Sequence, residues 1–130
     1  MERKIIRTDK SPAAKGCYSQ GVHAGPFLFT AGQLPLDPAT GQIVAGDIAE
    51  QAERVLRNIA GIVEAAGGTL RDVVKVTVYI VDMADWGRLN EVYARFFTDN
   101  PPARTVVSAK ELHYGALLEM DAVAFIPPHQ

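Results

Sequence analysis

Residues 73–81 read VVKVTVYIV, and the alternation in that run decides what kind of fold the chain can make. Val76, Val78 and Ile80 fall on one side and Lys75, Thr77 and Tyr79 on the other, the period of two expected of a strand with one buried face. The β-branched residues favour the same conformation.

Upstream the period changes. Asp47 offers an N-cap, with Glu50 three residues on at the capping-box position. Ala52, Val55, Leu56, Ile59, Ile62, Val63 and Ala66 then recur at spacings of three and four, which predicts a helix that Gly67-Gly68 ends. Downstream, Trp86, Leu89, Tyr93, Phe96 and Phe97 mark a second helix over 85–97. Segments 3–7 and 26–31 read as short strands, and 18–21 as strand or loop. DPATG at 37–41 is a turn built on Pro38 and Gly41. Strands at 104–109 and 116–126 follow. The order β-β-(β)-α-β-α-β-β predicts a two-layer α+β domain over 1–130, a mixed sheet with both helices on one face. The other face carries Tyr79, Leu117, Val123 and Phe125, and its lack of a cover predicts oligomerisation through it.

Composition narrows the function. With 130 residues, 48% hydrophobic and 22% charged, the chain is long enough for a real core. A net charge of −2 and no basic run give no reason to expect nucleic acid as a partner. No stretch approaches the roughly 20 apolar residues of a membrane span, and no signal-like apolar region follows the N-terminal charges, so the expected compartment is the cytoplasm. Cys17 is the sole cysteine, which excludes an internal disulfide and predicts a small buried filler. His23, His113 and His129 lack metal-ligand spacing, so no metal is expected.

Two places put charge where apolar residues are expected. In PPARTVV, 101–107, two prolines force an extended backbone and Arg104 opens a strand heading into the interior. In ALLEMDAVAFI, 116–126, Glu119 and Asp121 share one side of a strand. If the two strands are neighbours, a carboxylate comes within reach of the guanidinium. That arrangement is either a structural ion pair or a site in which Arg104 holds an anionic ligand and a carboxylate moves a proton. Tyr18 in GCYSQG and Gly32 in TAGQLP are secondary candidates, the glycine because it lets a ligand approach the backbone. Asn90 reads as a solvated helix position, and Trp86, Tyr93, Phe96 and Phe97 as core.

Beyond these single residues, SPAAKGCYSQGV, FTAGQLPLDPATGQIV, the run from Gln51 to Met83, LNEVYARFF, PPARTVV and LLEM together resemble the Rid family, also called YjgF, the reactive intermediate imine deaminases. Pro102-Ala103-Arg104 followed by Leu118-Glu119-Met120 is the most specific part. The resemblance implies a chorismate-mutase-like subunit, a homotrimer with sites between subunits, and hydrolysis of 2-iminobutanoate and 2-iminopropanoate to 2-oxo acids and ammonia without cofactor or metal. It makes Arg104 the clamp for the substrate carboxylate and Glu119 the carboxylate that positions water. It places Tyr18, Gly32 and Val106 around the ligand, the last two through their backbone. Val106 stands where many members have cysteine, and Ala31 where many have serine. The family also contains non-catalytic members and proteins described as ribonucleases. A trimeric binder of small carboxylates is therefore the alternative, with an endoribonuclease behind it.

Overall fold

The computed structural model describes residues 2–128, so His129 lies outside the described residues. Six strands, β1 (Arg3–Ile6), β2 (Gly21–Ala24), β3 (Phe27–Thr30), β4 (Val73–Ile80), β5 (Ala103–Ser108) and β6 (Leu118–Phe125), form one sheet with two helices, α1 (Ile48–Ala65) and α2 (Trp86–Phe96). The strand order is β1-β2-β3-β6-β4-β5. Only β4 and β5 pair in parallel, because α2 carries the chain back between them. The two-layer α+β expectation holds. The open segment resolves into a loop through Gln20 and a strand that begins at Gly21.

Local chemistry accounts for the ends of α1. Asp47 accepts hydrogen bonds from the Ala49 and Glu50 amides at 3.0 and 3.2 Å. Only half of the expected capping box forms, since the Glu50 carboxylate lies instead against Gly46. At the other end Gly67 adopts φ of 95°, which lets Gly68 donate to the Val63 carbonyl and Gly67 to the Glu64 carbonyl, each at 3.0 Å. These crossed bonds satisfy carbonyls that the helix leaves open.

The core sits between helices and sheet. Val55, Leu56, Ile59, Ile62 and Val63 of α1 are fully buried against Val76, Val78, Ile80, Leu118 and Met120. Each such side chain contributes about 1.5–3 kcal/mol relative to exposure. Among the described residues no layer covers the opposite face of the sheet. Phe27, Phe29, Val107 and Phe125 are all more than 40% exposed there, with Phe27 edge-on to Phe125 at 5.5 Å. Lys75, Thr77, Tyr79, Glu119 and Asp121 share this face, as the alternation predicted. Among the described residues no helix is long and apolar enough to cross a membrane.

Candidate functional site

β5 is an edge strand, and Arg104 is its second residue. In the parallel register Arg104 lies level with Val76, whose side chain is buried under the helices, so Arg104 belongs to the helix side of the sheet. It is exposed and does not enter the interior as the sequence suggested. The reason is its edge position: α2 covers the strand only in part, and the guanidinium lies over α2's aromatic side chains. Its Cζ is 4.7 Å from the Trp86 ring centroid and 4.7 Å from that of Tyr93, and Nη1 donates to Asn90 Oδ1 at 2.8 Å. Stacking on aromatic faces and a planar in-line acceptor both suit arginine better than lysine.

A cavity of about 410 Å³ opens beside this cluster, lined by Asn90, Tyr93, Phe97, Pro101, Pro102 and Arg104 among others. The Tyr93 hydroxyl is buried without a hydrogen-bond partner among the described residues. Burial pushes its phenol above the ordinary value, with the Arg104 charge opposing. Asn90, Trp86 and Tyr93 are thus bound up with Arg104, which their reading as solvated surface or plain core missed. The signal was present in the spacing, since positions 86, 90 and 93 lie on one face of a helix.

Glu119 is on the other side of the sheet. β6 is not the neighbour of β5; β4 lies between them, and Glu119 pairs with Tyr79, which pairs with Val107. Two strand spacings and three residues of rise separate Arg104 from Glu119, roughly 10 Å in each direction, and their side chains leave opposite faces. No carboxylate lies within 4.0 Å of Arg104 among the described residues, so the expected meeting of the two, whether as ion pair or as shared site, does not occur within one chain.

What Glu119 meets instead is the backbone at Gly32. Gln33 and Met120 exchange backbone hydrogen bonds of 2.7 and 3.1 Å, which brings the 31–33 segment alongside β6. A Cβ on Gly32 would overlap the Glu119 carboxylate. Partial burial raises the Glu119 pKa, His113 lowers it through its charge, and Asp121 raises it again. Burial likewise raises Asp121, against the Tyr79 hydroxyl and the Lys75 charge. Lys75 itself donates to Thr105 Oγ1 at 2.7 Å.

Tyr18 belongs to the same end of the sheet as Gly32. The Ala31 amide donates to the Gln20 carbonyl at 2.8 Å, two residues from Tyr18. Tyr18 is 56% exposed and borders a cavity of about 680 Å³ shared with Arg7, Asp9 and Gln20. The loop before it hangs on Gln20, whose amide donates to the carbonyls of Thr8, Ser11 and Pro12. Cys17 is exposed on this loop and is not the buried filler expected, because the loop packs through Ser11 and Gln20. Val106 faces the helix side, packed against the core two residues from Arg104. Among the described residues no cluster of three or more His, Cys, Asp or Glu side chains is arranged to hold a metal.

The chain therefore carries two separate clusters as candidate half-sites: Arg104 with Asn90, Trp86, Tyr93 and Val106 at the β5 edge, and Glu119 with Gly32 and, nearby, Tyr18 toward the other end. A mixed six-stranded sheet with two helices on one face defines the chain as a two-layer α+β protein. The chain belongs to the family described as endoribonuclease L-PSP, which includes the Rid or YjgF proteins and whose model matches residues 8–126. It is 49% identical to a RutC family protein of Pyrococcus abyssi over 96% of this chain and 98% of that one. It is 40% identical to the human 2-iminobutanoate/2-iminopropanoate deaminase over 97% of this chain and 92% of that one. Among solved structures, Escherichia coli TdcF with bound serine superposes with a TM-score of 0.90 at 42% identity, covering 94% of this chain and 98% of TdcF.

Proposed function

We propose that the protein hydrolyses 2-imino acids, 2-iminobutanoate and 2-iminopropanoate among them, to 2-oxo acids and ammonia, in a ring of three subunits whose sites lie between neighbours. The observation that carries this reading is the separation of the two half-sites. A guanidinium with no carboxylate partner among the described residues and a partly desolvated carboxylate against a glycine backbone complement one another, yet a single small ligand reaches both only if they come from different chains. Contacts between unlike patches close into a ring when the rotation between neighbours closes, and the exposed Phe27, Phe29 and Phe125 favour burying the bare sheet face in it. Names of relatives point the same way, through the human deaminase and the serine bound to TdcF, a small amino acid with the carboxylate that Arg104 would hold.

The chemistry asks little of the protein, because a protonated imine is already electrophilic. Arg104 holds the substrate carboxylate bidentately and so orients C2. A water beside Glu119 attacks C2, forming the C–O bond while the carboxylate takes the water proton. Glu119 then returns that proton to nitrogen. The C–N bond breaks, the hydroxyl proton leaves with the ammonia as ammonium, and the 2-oxo acid remains. Burial raises the Glu119 pKa above the ordinary carboxylate value, a shift in the direction that favours a group which both accepts and gives a proton.

Coupling a threonine dehydratase to the purified protein, and following 2-oxobutanoate against a scavenger of the imine, tests the reading. Acceleration by the protein, lost in Arg104→Ala and in Glu119→Ala, is expected. No acceleration would leave the second reading, a trimeric binder of small carboxylates, which Arg104 alone would serve and for which Glu119 has no use.

A further inference from the structure

We propose that Asn90 is the positioning residue for Arg104, and that it serves because it is an amide and not a carboxylate: it fixes the guanidinium while leaving its charge to a ligand. This rests on the reading that Arg104 receives the carboxylate of a small acid. The guanidinium carbon lies 4.7 Å from the ring centroids of both Trp86 and Tyr93, so the two α2 aromatics flank it and its in-plane rim is where a carboxylate binds. One rim donor, on Nη1, is taken by Asn90 Oδ1 at 2.8 Å. A guanidinium has five N–H donors in one plane, and carboxylates bind it edge-on in that plane.

The identity of residue 90 then decides who neutralises Arg104. A carboxylate there would form a charge-assisted pair in the same plane, compete for the rim and cancel the charge. An aliphatic side chain would leave the guanidinium stacked but free to turn in its plane, so that ligand binding would have to fix it. The amide does neither. It stands where β5 begins, beside the cavity of about 410 Å³ that Tyr93, Pro101 and Pro102 also line, so a ligand entering there meets a guanidinium already oriented and still positively charged.

This makes a prediction that separates positioning from mere structure. If Asn90 only braced α2 against β5, Asn90→Asp should brace it better, since an ion pair replaces a hydrogen bond from the guanidinium to a neutral acceptor. The test compares wild type, Asn90→Asp and Asn90→Leu by calorimetric titration with 2-oxobutanoate, by melting temperature and by the steady-state constants for the imine. Asn90→Asp is expected to weaken 2-oxobutanoate binding at least about tenfold with a melting temperature equal to or above wild type. Asn90→Leu is expected to weaken it several-fold, and in both variants the loss should fall on KM more than on kcat. Equal binding by wild type and Asn90→Asp would overturn the proposal, as would wild-type protein that binds no 2-oxobutanoate. Should Asn90→Asp fail to fold, unchanged binding by Asn90→Leu overturns it. A wild type that binds 2-oxobutanoate with this dependence on residue 90, yet does not hydrolyse imines, supports the role of Asn90 and defeats the deaminase reading alone.

Discussion

Gly32 packs against the carboxylate of Glu119 so closely that a Cβ at position 32 would overlap Oε2 and come within 3.0 Å of Cδ. The backbone at 32 has ordinary φ, so alanine is conformationally acceptable there and the clash is with the carboxylate alone. Since Glu119 is only half-buried, it can swing away, and the fold loses little. Gly32→Ala is therefore expected to keep its melting temperature within a few degrees while imine hydrolysis falls roughly a hundredfold, the scale of a catalytic group displaced by about 1 Å. A coupled 2-oxo acid assay beside a melting curve checks both halves, and an undiminished rate would detach Glu119 from the chemistry.

Two half-buried carboxylates on the bare face, Glu119 and Asp121, hold their protons more tightly when folded than when unfolded. As pH rises past their unfolded values, the unfolded chain loses those protons first, so the unfolded state is favoured and stability falls until pH has passed the folded values. Acidification through that window restores it. Urea unfolding between pH 4 and 7 should show the contribution of these groups as a loss of stability with rising pH, smaller in Asp121→Asn and in Glu119→Gln than in wild type. A slope unchanged by both substitutions would show that neither group's proton affinity differs between the states.

Asn58 ties the 34–36 segment to α1. Its buried amide donates to the carbonyls of Leu34 and Leu36 at 3.1 and 3.0 Å and accepts from Arg54 at 3.1 Å. Asn58→Ala strips two partly buried carbonyls of their donor, and a loss of about 2 kcal/mol follows. Urea titration at fixed protein concentration measures it, and because Gly32 lies just upstream of that segment, some activity should be lost with it. Destabilisation below 0.5 kcal/mol, on the order of a surface substitution, would mean that water replaces the amide without cost.

How much of this the sequence disclosed depends on the range over which each feature is set. The alternation of β4 and the three-four spacing of α1 are local and read directly, as are the Asp47 cap and the Gly67-Gly68 stop. β2 is four residues, GVHA, opened by a glycine; its strand character comes from pairing with Phe27–Thr30, which no local propensity announces. Arg104 and Glu119 were both visible as charges out of place. Their relation was not, because strand order and register are tertiary facts: inserting β4 between β5 and β6 both separates the two residues and, with the observed register, sends them to opposite faces. Asn90 reads as a solvated helix position for the same reason: its spacing places it on one face with Trp86 and Tyr93, but only the tertiary fold lays Arg104 beside that face.

That separation also yields the most direct test of where the site is assembled. If each site takes Arg104 from one chain and Glu119 from its neighbour, the inactive variants Arg104→Ala and Glu119→Gln each keep what the other lacks. Unfolded together in equal amounts and refolded, they assemble at random, and a site receives an intact arginine half the time and an intact glutamate half the time. About one quarter of the sites are then whole, and the mixture should recover about one quarter of the wild-type rate. The two variants refolded apart and then combined cold should stay inactive until subunits exchange. A site drawn from a single chain predicts no recovery at any ratio, because every chain in the mixture is damaged, and melting curves matching wild type would show that the missing activity is not missing fold.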